Sequence, residues 1–156
     1  REGLSIVYNR YTRISSDPAY RADYENQQML FKPLFLTSFL IDDQLDELHF
    51  YGAEQVILSS ASSKTAMALA WLLRKRSIRV VALTSPASRA FVRNSQAYND
   101  VVLYDDIAGS LEEIPSVFVD FAGADPDDLI NVGDKNFAIA NFPRMRGFQN
   151  GIDAAV

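Results

Sequence analysis

The sequence predicts an α/β fold, a doubly wound parallel sheet covered by helices on both faces, and three observations support it. Four short apolar runs recur along the chain: residues 55–58 (QVIL), 79–83 (RVVAL), 101–104 (VVLY) and 116–121 (SVFVDF). Each run is near-continuously hydrophobic instead of alternating, as strands buried on both faces are. The segments between them carry helical spacing or helix-start signals, which makes the whole a series of βαβ units. Right-handed crossovers then lead to a three-layer αβα, Rossmann-type architecture.

The elements follow in order. Residues 1–28 are polar and rich in tyrosine (Tyr8, Tyr11, Tyr20, Tyr24) and read as an irregular leading segment with a short strand at 4–8. The nucleotide-binding-type domain is expected over residues 29–156. Pro33 precedes a helix whose Leu34, Ile41, Leu45 and Leu48 share one face, with Gly52 as its C-cap. After the strand at 55–58 and a serine-rich turn, residues 64–76 place Ala66, Leu69, Ala70 and Leu73 at i, i+3, i+4 and i+7. Ser85-Pro86 is a helix start, hydroxyl at the N-cap and proline at the first position, for a helix reaching about Tyr98. Glu112 and Glu113 lie in a connection, and residues 137–141 (FAIAN) supply a fifth strand. Residues 125–132 allow two helical turns, and 142–156 show no period.

Composition excludes several classes. The 156 residues make about one domain, 48% hydrophobic and 22% charged. Lys+Arg 15 against Asp+Glu 20 leaves a formal charge of −5, which argues against a general nucleic-acid binder. With no cysteine there is no disulfide, thiolate metal site or cysteine nucleophile, and a serine triad would rest on the single histidine, His49. No apolar run approaches the roughly 18 residues of a membrane span, and no signal peptide opens the chain, so a cytoplasmic location is expected. Arg1 in place of methionine leaves the chain readable as part of a longer one.

Charge is segregated along the chain. Lys64, Arg74, Lys75, Arg76, Arg79, Arg89 and Arg93 form a block without an acid, and residues 100–128 hold nine acids and no base. The basic block suits an anionic ligand, or else is solvated helix ends.

In an open parallel sheet, ligands bind beyond the carboxyl ends of the strands, so the first strand-to-helix turn is the place to look. It reads Ser59-Ser60-Ala61-Ser62-Ser63-Lys64-Thr65-Ala66, a helix start rich in donors that suits a phosphate. The P-loop pattern fits only at Lys-Thr, because Leu58 and Ser63 stand where it needs glycines. The dinucleotide fingerprint aligns Ala61, Ser63 and Ala66 with its three small positions, yet both leading glycines are absent. By these residues alone, a plain Rossmann turn is favoured over a working dinucleotide site.

The runs PLFLTSFLIDD, GAEQVILSSASSKTAMALAWLL, RVVALTSPASRAFV, DVVLYDDI and VFVDFAG resemble the cofactor-binding half of the medium-chain dehydrogenase/reductase superfamily. Within it the chain looks most like a zinc-free branch near the quinone oxidoreductases. The likeness covers roughly residues 8–123 and does not include that family's catalytic barrel. It implies an NADP(H)-dependent, metal-free oxidoreductase acting on a small carbonyl or enone-type substrate. The second β-strand ends in Thr84 and Ser85 with no carboxylate, Arg89 falls at the family's 2′-phosphate position, and Tyr104 at its phosphate-contacting tyrosine. The resemblance thus nominates Ser62, Ser63, Lys64, Ser85, Arg89 and Tyr104 as cofactor-binding residues, with NADP as the cofactor. Against it, Arg89 reads as a surface helix residue, Tyr104 as a strand aromatic and Lys64 as an exposed first-turn lysine. Thr37 and Ser38 lie on the helix that borders the nicotinamide in the family; bonding to the preceding turn is favoured.

No catalytic residue and no metal site emerge. His49 is expected to cap helix carbonyls. Asp42, Asp43, Asp46 and Glu47 are expected to face solvent and Trp71 to be packing; Asp120, at the ligand edge, is open to a ribose contact or a turn cap, with the cap favoured. Arg74, Lys75 and Arg76 suit a helix C-terminus better than nucleic acid. A rival to the enzyme is a Rossmann scaffold or interaction module that has lost its cofactor. A homodimer through the sheet's flank is a further expectation.

Overall fold

The computed structural model describes residues 13–112, 114–122 and 137–141. The chain divides into two compact units, Arg1–Pro33 and Leu34–Val156. In the first, single 3-10 turns at Ile14–Ser16 and Ala22–Tyr24 lead into helix α1, Glu25–Glu47. Gln28 ties these turns to the helix: its Nε2 donates to the Ala19 carbonyl at 2.8 Å and its Oε1 accepts from the Arg21 amide at 2.9 Å. Lys32 pairs with Asp17.

Helix α1 starts well before Pro33, which lies inside it, so the helix predicted after that proline is too short. The run Glu25-Asn26-Gln27-Gln28 has no apolar period, but Glu and Gln are good helix formers and Glu25 suits the positive end of the dipole. The other end also departs from expectation. His49, Phe50, Tyr51 and Gly52 take φ of 49°, 52°, 53° and 74°, a left-handed turn separate from α1. Gly52 is therefore the last of four left-handed residues and not the cap of α1. The exposed His49 ring makes no hydrogen bond among the described residues, so it caps no carbonyl.

The second unit is built on five parallel strands: β1 Gln55–Leu58, β2 Arg79–Thr84, β3 Asp100–Leu103, β4 Ser116–Asp120 and β5 Phe137–Asn141. Their order is β3-β2-β1-β4-β5. Val56 lies opposite Val80 on one side and Val117 on the other, Ala82 pairs with Val101, and Val117 with Ala138. The order reverses between β1 and β4. Helices α2, Lys64–Lys75, and α3, Arg89–Asn94, supply the crossovers on the β2 side.

Alternate strand residues feed two cores. Val56, Leu58, Val80, Ala82, Val117 and Val119 meet Ile41 and Leu45 of α1, Leu69, Ala70 and Leu73 of α2, and Val92 of α3. Ile57, Val81, Leu83, Val102 and Phe118 turn the other way, against Ile107 of the one-turn helix α4, Ile107–Ser110. Strand residues must be apolar on both sides in this arrangement, which is why the runs do not alternate.

Three further boundaries differ from the sequence expectation. The helix after Ser85 is a 3-10 turn, Pro86–Ser88, followed by α3, which stops at Asn94. Ser95 Oγ donates back to the Val92 carbonyl at 2.6 Å and Gln96 is left-handed at φ 55°, so the helix cannot reach Tyr98. Strand β3 ends at Leu103, and Tyr104 opens a 3-10 turn, Tyr104–Asp106. Helix α4 occupies the connection that carries no helical pattern. The strand expected at 4–8, the helical stretch at 125–132 and residues 142–156 lie outside the described residues. No helix among the described residues is long and apolar enough to cross a membrane.

One expectation about side chains is overturned and another is refined. Asp42 does not face solvent: it is buried and takes Arg76 Nε at 2.9 Å and Nη2 at 2.8 Å, the bidentate geometry that guanidinium favours. Asp46 joins the same arginine at 2.5 Å. This joins α1 to the end of α2, and the carboxylates hold the Arg76 pKa above its ordinary value. Trp71 does pack, but at the surface and not in the core: it is 51% exposed, tilted against Phe35 at 6.4 Å between centroids, with Lys75 Nζ 3.3 Å above its ring.

Replacing Arg76 by Ala strands the buried Asp42 carboxylate and is expected to cost about 3 kcal/mol in urea unfolding. Pairing it with Asp42→Asn should restore part of that loss. Gly52→Ala meets no atom within 4 Å, so its expected loss of about 1 kcal/mol, read the same way, is the cost of a left-handed alanine alone.

Candidate functional site

The carboxyl ends of the strands carry the serine-rich turn. Ser59 extends β1 by one residue, its amide bonded to the Val119 carbonyl at 3.1 Å. Ser60 is left-handed at φ 46°, and its carbonyl accepts the Ser63 amide at 2.8 Å, closing a tight turn. Ser63 is the N-cap of α2, its Oγ accepting from the Ala66 amide at 3.2 Å. Ser62 and Lys64 are exposed.

Position 61 is small for a packing reason. Ala61 is fully buried, its amide donates to the Leu83 carbonyl at 3.1 Å, and its carbonyl accepts the Tyr98 hydroxyl at 2.7 Å. The turn is thus tied to the end of β2 on one side and to Tyr98 on the other. Burial pushes the Tyr98 phenol pKa well up, so it remains a donor at neutral pH.

Tyr104 reaches this turn directly: its hydroxyl accepts the Ser60 amide at 2.7 Å. The hydroxyl proton is left to be donated elsewhere. Tyr104 therefore joins Ser62, Ser63 and Lys64 at one edge. Ser85 and Arg89 follow β2 at the same edge, and no hydrogen bond connects either to the turn among the described residues. The Ser85 side chain does not cap the turn that follows it: the Ser85 carbonyl takes the Ser88 amide at 3.1 Å, with Pro86 at the first position. Arg89, first residue of α3, is half-buried, and its Nε is buried without a partner.

Internal pairing narrows the basic block. Arg76 is held by Asp42 and Asp46, and Arg79 by Asp100 and Glu112. Arg74 donates to the Gln96 carbonyl and Lys75 covers Trp71. Among the described residues, Lys64, Arg89 and Arg93 have no ion pair. Two of these open the helices that follow β1 and β2, where an anion would meet helix N-termini.

Asp120 does cap a turn, as the sequence suggests, since its Oδ1 accepts the Ala122 amide at 2.8 Å. It also bonds Ser59 Oγ at 2.5 Å across the point where the strand order reverses. The bonds that Ser59, Ser60 and Tyr98 make in holding the turn are not foreseen from the sequence. A hydroxyl directly after one apolar strand, and a carboxylate closing another, were the available signal for the Ser59–Asp120 pair. Ser38 Oγ has two carbonyls within hydrogen-bond reach, Thr65 of α2 at 2.8 Å and Leu34 of the preceding turn at 3.1 Å, so the expected bond within the helix is shared with a shorter one to α2. His49 precedes β1, at the amino edge, away from all of these groups. No cluster of three or more His, Cys, Asp or Glu side chains suited to a metal occurs among the described residues.

Comparison with known proteins places this geometry. A family model described as "Protein of unknown function (DUF2855)" matches residues 1–129. The yhdH oxidoreductase from Salmonella enterica, solved in complex with NADP, superimposes with a TM-score of 0.52 at 17% identity over 69% of this chain and 35% of its own. A Mesorhizobium loti protein described as a "putative NADPH:quinone reductase" gives a TM-score of 0.58 at 11% identity, over 86% of this chain and 41% of its own. At these identities the likeness establishes the Rossmann-type fold, and the chain spans well under half the length of either protein. No curated protein matches the sequence.

The turn's wiring is open to direct measurement. Ser60→Gly relieves a left-handed serine and should raise stability by about 0.5–1 kcal/mol. Tyr104→Phe removes the acceptor of the Ser60 amide and should lower stability by about 1 kcal/mol. If both substitutions prove neutral in chemical denaturation, the turn is not held in this conformation.

Proposed function

Because the chain belongs to the DUF2855 family, whose description assigns no activity, we propose its function from the site: it is the NADP(H)-binding domain of a metal-free oxidoreductase of the medium-chain dehydrogenase/reductase type. The observation that carries this is Arg89, whose buried Nε lacks a partner beside a strand end that has no carboxylate. An NAD-binding sheet of this kind places an acid after its second strand for the ribose hydroxyls; Thr84 and Ser85 stand here instead. A neutral strand end and an unpaired guanidinium suit a 2′-phosphate, which Arg binds through a planar fork of donors.

The residues fit the cofactor as follows. Ser62, Ser63 and Lys64 at the start of α2 would hold the diphosphate, with the Tyr104 hydroxyl proton available to it. Ser85 and Arg89 would hold the 2′-phosphate. The cofactor when bound supplies the hydride, and the chain supplies position and charge. The substrate in this reading is a small carbonyl or enone. With no cysteine and one histidine, this chain offers no thiolate–imidazole set for zinc.

One observation favours the rival reading, a scaffold that binds no cofactor. The Ser60 amide is already occupied by Tyr104, and Ser63 carries a Cβ where the fingerprint has glycine. Thermal unfolding separates the two, since a ligand at 100 times its Kd adds about 2.7 kcal/mol. Titration then tests the role of Arg89. Wild type should bind NADPH more tightly than NADH. Arg89→Glu should weaken NADPH by about 10- to 100-fold, the worth of a charge-assisted hydrogen bond, and leave NADH unchanged. Equal affinities for both dinucleotides, before and after the substitution, would remove the claim.

A further inference from the structure

Asp120 closes β4 beside Ser59, so the two flank the reversal of strand order. Asp120 has no exposed surface. The proton positions follow from the bonding around Ser59. Its Oγ accepts the Phe121 amide at 2.6 Å and the Ala122 amide at 3.1 Å, which commits its own proton to Asp120 Oδ1 at 2.5 Å. Oδ1 takes the Ala122 amide as well. Oδ2 is buried with no partner, and no cation pairs with Asp120 among the described residues. Carried as a carboxylate, this side chain puts a charge that water screens little beside the reversal of strand order.

A doubly wound sheet binds a dinucleotide across the reversal, with the adenosine half read after β2 and the other half on the β4 side. The oxidised and reduced forms of a nicotinamide dinucleotide carry the same phosphates and differ by one positive charge on the ring. Lys64 and Arg89 act on phosphates common to both forms. Resting on the cofactor reading above, we infer that the Asp120 carboxylate is a specificity-determining charge, which makes this site favour the oxidised, cationic nicotinamide over the reduced, neutral one. A purely structural role in the Ser59–Ala122 turn would treat the two forms alike.

The test is a set of dissociation constants for NADP+, NADPH and 2′,5′-ADP, measured on wild type and on Asp120→Asn. The expected result is a fall of about tenfold in the preference for NADP+ over NADPH, with 2′,5′-ADP affinity unchanged. Retained 2′,5′-ADP binding certifies that the variant is folded. If it is lost, Asp120→Ser is read in the same way. A preference unchanged within twofold, in a variant that still binds 2′,5′-ADP, overturns this inference and leaves the cofactor reading intact. Failure of wild type to bind either dinucleotide overturns both.

Discussion

Strand β1 is flanked on both sides by parallel neighbours, and most of the molecule follows from that. Its four residues are all buried, with Val56 and Leu58 facing one core and Ile57 the other. A strand in this position cannot expose polar groups, so its backbone must be satisfied by β2 and β4 and its side chains by helices. The same placement sets the point where the strand order reverses, the place at which sheets of this kind bind ligands. Connections after β1 and β2 lead towards β3, whereas β4 returns to the far side of β1. Whatever chemistry the domain supports has to be built from the few residues that follow β1, β2, β3 and β4.

Charge is distributed by a similar economy. A run of seven bases without an acid looks in sequence like an anion-binding strip, but folding consumes most of it. Arg76 and Arg79 each hold two carboxylates, and Arg79 reaches from β2 to Asp100 of β3 and to Glu112 ahead of β4. The pairs with Asp46, Asp100 and Glu112 are partly exposed and contribute modestly to stability individually, whereas the one with Asp42 is buried on the carboxylate side. Their greater effect is selective: once the pairs are formed, the unpaired cations left at the ligand edge are those at the starts of α2 and α3. Local concentration of positive charge there arises by subtraction, not by accumulation.

The strands were legible in the sequence because their signal is local. QVIL, RVVAL and SVFVDF each carry apolar side chains on both faces because they fill two cores. Helix ends were less legible because side chains decide them. Helix α3 stops where Ser95 bonds back to Val92 and Gln96 turns left-handed, and neither feature leaves a periodic trace. Asp42 was misread for a different reason. It stands beside Asp43 in an acidic run that resembles a solvated face, while its partner, Arg76, is 34 residues away. The candidate site divides in the same manner. The turn at 62–64 is visible as a strand, a serine cluster and a helix in succession. The Ser59–Asp120 bond joins residues 61 apart, and only the sheet order brings them together.

The turn itself shows how a glycine motif can be replaced without loss of shape. Glycine serves such bends by permitting a left-handed backbone and by leaving room for close approach. Here the left-handed duty falls on Ser60, one residue before the first fingerprint position, and the Tyr104 hydroxyl secures it through the Ser60 amide. Position 61 is filled by a buried alanine, whose amide and carbonyl are both bonded to the surrounding fold. The conformation is therefore imposed from outside the turn by two tyrosines and a strand carbonyl, where a glycine-rich sequence would adopt it unaided. A turn held by these bonds is already in one conformation in the absence of a ligand. A ligand would also meet an amide already engaged, so in the proposed cofactor site the Tyr104 proton and the Lys64 and Arg89 side chains take the part that the backbone plays in a glycine-rich loop.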